Sequence, residues 1–196
     1  MGSADDVATA LLAALGAMTA KKLEKLAYYA QAWHLAWHSE PLFDDEIQAW
    51  REGPVVKRLY ENHRHRYMIH EWTFGDAKNL THDERRTVLW VAEKYGSFTA
   101  EALSRMTHND VPWRVARAEL MPDAPSDRPI RHQDLAAFYS RQQADPETAV
   151  QLASANAALE GFELDAEWQE TLRDVADGGL DVEALIREEI TRAQSD

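Results

Sequence analysis

The 196-residue chain contains no cysteine. That absence excludes disulfides, thiolate catalysis and cysteine-based zinc sites. It suits a reducing compartment, so a cytoplasmic location is expected. No long apolar run is present either. The run at residues 7–15 is too short to span a bilayer, and no basic stretch precedes it. Neither a signal peptide nor a membrane span is therefore expected. Positive charge is scarce: 21 Lys and Arg stand against 34 Asp and Glu, for a net charge of −13. No nucleophile motif and no phosphate-binding loop appears, so the chain is read as a non-enzyme without a cofactor.

The acidity is unevenly distributed. Residues 141–196 hold 14 acids and 4 bases, a net −10 out of the −13 of the whole chain. An acidic balance disfavours nucleic acid, whose binding depends on neutralising phosphates. It favours a basic protein partner or plain solubility.

What is present is aromatic. Four of the seven tryptophans fall in residues 25–60 and 103–117. The surrounding pattern is mainly helical. Ser3 with Asp6 reads as a cap, and Val7, Leu11, Leu12 and Leu15 form one face that ends at Gly16. Thr19 caps a second helix, whose face of Leu23, Leu26, Ala30, Trp33 and Trp37 has the helical period. Pro41 breaks it. Residues 47–50 read as a short strand or an extended connection. Gly53-Pro54 reads as a turn that opens a short helix through Val55, Val56, Leu59 and Tyr60. A second short strand falls somewhere in residues 62–80.

Thr81 with Glu84 forms a capping box for a helix closed by Gly96. Thr99 starts another helix, with Leu103 and Met106 inward. Pro112 opens a third, carrying Trp113, Ala116 and Leu120. Residues 121–129 read as a proline-rich loop, residues 130–139 as a last core helix, and residues 140–146 as a linker. Three short acidic helical stretches follow, separated by Gly161 and Gly178-Gly179. The expected fold is thus mainly α. It comprises a compact helical domain with a short β-hairpin or extended segments, and a small C-terminal three-helix module.

Each candidate site has a plain structural reading beside it. His63 and His65 read as solvated loop histidines, because no metal-ligand spacing surrounds them. His34 reads as a semi-buried, satisfied histidine beside Trp33 and Trp37. His108 reads as a turn-stabilising residue. Asp44, Asp45 and Glu46 read as a solvated turn rather than an acid–base pair. No metal site is expected. Residues 95–117 have helix-turn-helix spacing, with Arg105, Arg114 and Arg117 available, but the overall charge argues against DNA. Trp33 and Trp37 read as core. Trp50 and Trp113 each border a turn, where a half-exposed tryptophan can anchor a protein contact.

The stretches KKLEKLAYYAQAWHLAW, PLFDDEIQAWREGPVVKRLY, LSRMTHNDVPWRVAR and IRHQDLAAFY occur in that order over residues 5–140. In order and spacing they resemble the SocA-like Panacea antitoxin family, which includes phage-associated proteins. Ala32 stands where the family pattern has glycine. Tyr28, Tyr29, Trp33, His34, Gly53, Pro54, Thr107, His108, Pro112 and Arg117 carry the resemblance. It implies a compact helical domain that neutralises a protein toxin by direct binding, the toxin being encoded by an adjacent gene. Some members act instead as adaptors that deliver the toxin to a protease. A DNA-binding phage or transcriptional regulator is the alternative class.

The tail, residues 147–196, resembles the small VbhA-type antitoxins of Fic toxins. Their inhibitory helix carries a Ser/Thr-x-x-x-Glu-Gly motif. Glu160 and Gly161 match it, and Asn156 stands at the hydroxyl position. The resemblance implies that Glu160 enters the ATP site of a Fic-type adenylyltransferase. There it would pair with an arginine that otherwise orients the γ-phosphate.

Overall fold

A computed structural model describes residues 2–121 and 123–142. The acidic module at 147–196 lies outside the described residues. Seven α-helices and two two-stranded antiparallel sheets occur among them.

Local signals place the first elements. Ser3 and Asp6 cap each other reciprocally at the start of α1, Ala4–Leu15. Gly16, at φ 74°, ends the helix. A two-residue strand β1, Met18–Thr19, leads into α2, Ala20–His38, where the Thr19 hydroxyl caps the Lys22 amide. Nearly all of α2 from Leu23 to Leu35 is buried, on every side. Helices α1, α3, α4 and α5 pack on it, and its apolar stripe alone does not account for that.

The chain then forms a hairpin. Strands β2, Ile47–Trp50, and β3, Gly53–Val56, pair antiparallel, with Ile47 opposite Val56 and Trp50 opposite Gly53. Residues 53–56 are thus a strand and not the start of a helix, which begins only with α3, Lys57–His63. The sequence rule that places proline at a first helical position is overridden by tertiary bonds. The Pro54 carbonyl accepts a hydrogen bond from the Lys25 ammonium at 2.8 Å, and the Val56 amide donates to Glu24 at 2.7 Å. Arg51 and Glu52 both keep negative φ, so the reversal is completed by Gly53 at φ 103°. A Cβ there would stand 2.8 Å from Lys25 Nζ, so only glycine fits.

The strand expected within 62–80 is β4, Met68–Ile69, and it pairs with β1. A short 3₁₀ turn, Ala77–Asn79, precedes α4, His82–Tyr95, whose start is the Thr81–Glu84 capping box. Helices α5, Ala100–Asn109, and α6, Val111–Ala116, follow. Leu120 lies beyond the end of α6. The last helix, α7, spans His132–Gln142. It starts later than its apolar pattern suggests because Pro129 forms a bridge with Gln48 and Ile130 is tied to the hairpin instead. Its amide donates to the Ile47 carbonyl, and Ala49 donates to Arg128. The chain from Met1 to Arg141 closes as one compact unit. No helix among the described residues is long and apolar enough to cross a membrane.

Candidate functional site

The polar side chains that carry the sequence motifs are mostly buried and paired. Lys25 is 1 % exposed. Burial pulls its ammonium down to about 8, against the partial support of Glu24. Beside it, Glu24 accepts from the Val56 amide and bonds the His63 ring at 2.7 Å, tying α2 to β3 and α3. Burial lifts the Glu24 carboxyl above the usual range, and the His63 bond opposes the shift. His63 is therefore a buried partner and not a solvated loop histidine. His65 is exposed, as expected.

A second cluster centres on Asp110. Its carboxylate accepts from Tyr139 at 2.6 Å and Tyr28 at 3.1 Å. Burial still raises its carboxyl above the ordinary value. Around it, Tyr28, Tyr29, Tyr95, Tyr139 and Trp33 pack edge to face or stacked. Trp33 is buried, and its indole donates to Tyr95. Trp37 is half-buried against the same core. His34 bonds the Thr87 hydroxyl at 2.9 Å, and burial lowers its basicity. Gln31 was not expected as a structural residue. Its amide holds the Leu42 and Phe43 amides and the Phe43 carbonyl, pinning the turn before the hairpin. Asp45 is likewise not fully solvated, since it accepts the Ala4 amide at the start of α1.

The third cluster supports the hairpin tip. The Arg117 guanidinium donates to the carbonyls of Ala49 and Ala124 and lies over the Trp113 ring. It is buried, so it is not available to DNA as the helix-turn-helix reading required. Trp113 donates its indole N–H to the Trp50 carbonyl. His108 also stacks on Trp113, at 4.4 Å between ring centroids. The His108 ring is held by the Arg51 backbone rather than by its own turn, and burial lowers its basicity. Thr107 and Pro112 are buried beneath.

Around this scaffold runs an open surface. One groove, of about 870 Å³, is bounded by Arg51, His108, Val111, Trp113, Val115 and Leu120. A second, of about 770 Å³, is bounded by Trp50, Pro125, Ser126 and Asp127. Arg51, Glu52 and Asp123 line both, so the grooves flank the hairpin tip as one face. Trp50 and Trp113 are both half-buried and contribute to it. Apart from the two tryptophans, His108, Arg114 and Arg117, the residues on this face carry no functional signal in the sequence. No group of metal-ligating side chains occurs among the described residues. Asn156, Glu160 and Gly161 lie outside the described residues.

The arrangement defines a helical domain whose motif residues build a rigid hairpin and whose open face suits a macromolecular contact. Residues 23–114 match the family described as antitoxin SocA-like, Panacea domain. The match reaches from α2 into α6, and so includes the hairpin with Glu24, Lys25, His63 and Trp113, while Arg117 lies just beyond it. No curated protein and no solved structure matches the chain.

Proposed function

We propose that the protein is the antitoxin of a toxin–antitoxin pair and neutralises its toxin by direct contact through the face around the β2–β3 tip and α6. The observation that carries this reading is the family match over residues 23–114, whose segment includes the hairpin tip and the first part of α6, while the side of the face from Val115 to Asp127 lies beyond it. The chemistry agrees with it. The motif side chains of Tyr28, Trp33, His34, Thr107 and Arg117 are engaged in internal hydrogen bonds, and the face is apolar with a charged rim, as protein interfaces are. Trp50 and Trp113 are the anchors of choice, because a half-buried indole offers large contact area at little entropic cost.

The tail adds a second element to the proposal. Glu160, with Asn156 and Gly161, inserts into the ATP site of a Fic-type toxin. Co-expression with the product of the adjacent gene tests both elements. Restored growth with the toxin still present at full level supports direct neutralisation. Restored growth with the toxin depleted supports delivery to a protease instead. Glu160→Gly abolishes neutralisation if the tail is inhibitory. Full rescue by a chain ending after Tyr139 removes the tail from the mechanism.

A further inference from the structure

The chemistry of the groove face specifies its occupant further. On the α6 side, Val111 and Val115 stand one turn apart, 46 % and 57 % exposed, and Met121 beyond the helix is 76 % exposed. With Leu120 and the half-buried Trp113, the two valines line the first groove and give it an exposed apolar strip among the described residues. Asp123 and Asp127 are exposed and line the second groove together with Trp50, and Asp123 reaches the first groove as well. Among the described residues neither carboxylate takes part in an ion pair. The cation nearest the tip, Arg51, is already paired with Glu52 at 3.2 Å. Uncommitted charge on the Trp50 side is therefore negative.

We propose that this face receives a basic amphipathic segment of a partner protein. The segment's apolar side chains lie on the Val111–Val115–Leu120 strip, and a lysine or arginine sits between Trp50, Asp123 and Asp127. An indole face and two carboxylates together hold such a cation more strongly than either does alone. The net charge of −13 draws a basic partner from a distance. The same carboxylates repel phosphate, which argues against a nucleic acid. A second copy would bring like charge to the face, which argues against self-association. The proposal rests on the antitoxin reading only in taking the toxin as the natural source of the segment.

The probe is a phage-displayed library of random peptides of about 15 residues, long enough to lie along a groove, panned against the full-length chain. The expected winners combine apolar residues with lysine or arginine. Their affinity falls by roughly tenfold or more in Asp123→Lys/Asp127→Lys and in Val115→Glu, and falls with added salt. The control Leu89→Glu, at an exposed apolar residue of α4, leaves it unchanged. Because every altered side chain is exposed, the melting temperature stays within a few degrees of the parent. Acidic winners, winners indifferent to the groove variants, no enrichment at all, or self-association abolished by Val115→Glu would each overturn the proposal. The toxin experiment fails independently. Peptides that bind the groove with no toxin neutralised remove the antitoxin reading alone, and a toxin neutralised equally by all groove variants removes the groove.

Discussion

Two regions of the molecule divide the work. The buried region comprises Glu24, Lys25, His63, Asp110 and Arg117, each hydrogen-bonded to a backbone or side-chain partner inside the fold. The open region comprises Val111, Val115, Met121, Asp123 and Asp127, which make few internal bonds and face solvent. The buried side chains Glu24, Lys25, His63 and Arg117 thus hold the hairpin in place. The residues that can meet a partner lie on α6 and in the loop that follows it. A buried charge without its partner is costly, so the first region tolerates little change. An exposed side chain is nearly free of that constraint, and the second region can vary with the partner.

The largest effect should come from breaking the buried region. Asp110→Ala leaves the hydroxyls of Tyr28 and Tyr139 without their acceptor, and a loss of about 3–5 kcal/mol in urea unfolding is expected. A change below about 1 kcal/mol would mean that the carboxylate is not what orders the tyrosines.

Next comes the pH dependence of Lys25. Its ammonium titrates near 8 in the folded chain against 10.5 for a free side chain. Between those values the unfolded chain binds the extra proton, so stability rises with pH across that window. The wild type should gain on the order of 2 kcal/mol relative to Lys25→Met between pH 8 and 10, from denaturation curves measured at both. The buried hydroxyls of Tyr28 and Tyr139 titrate above their ordinary value. Unfolded tyrosines therefore ionise first, and stability falls again above about pH 10. Parallel pH curves for the two proteins would contradict the buried placement of Lys25.

Gly53→Ala is expected to cost roughly 1–3 kcal/mol, since the residue combines a positive φ with close approach of the Lys25 side chain. A melting curve checks it. Gly16→Ala shares the positive φ but has open space around it, and so is expected to cost less. Equal losses at the two sites would show that backbone strain alone decides.

Much of the helical framework was legible because its signals are local. Ser3 with Asp6 and Thr81 with Glu84 mark helix starts within three residues, and both boxes form. The hairpin was partly legible. Residues 47–50 were readable as a strand, but their partner was not. Gly53-Pro54 obeys a local helix-start rule that Lys25 and Glu24, nearly thirty residues away, override. The buried polar residues were missed for a related reason, since a charged or amide side chain is normally read as surface. One signal could have found Gln31 and Lys25. The run Leu26 to Ala30 is apolar on every helical face, so polar residues flanking it must also be enclosed. The groove was illegible, because exposed valine and aspartate residues carry no pattern until the hairpin and α6 are brought together.

The smallest stability effects, and the most informative functional ones, belong to the open face. Val115→Glu and Asp123→Lys should each change stability by less than about 0.5 kcal/mol. The decisive measurement is growth of cells expressing the toxin of the adjacent gene with either the wild-type chain or the Val115→Glu/Asp123→Lys double variant, at matched antitoxin levels. The wild type is expected to restore growth, and the equally stable double variant is expected not to. Equal rescue by both would contradict neutralisation through the face around the hairpin tip.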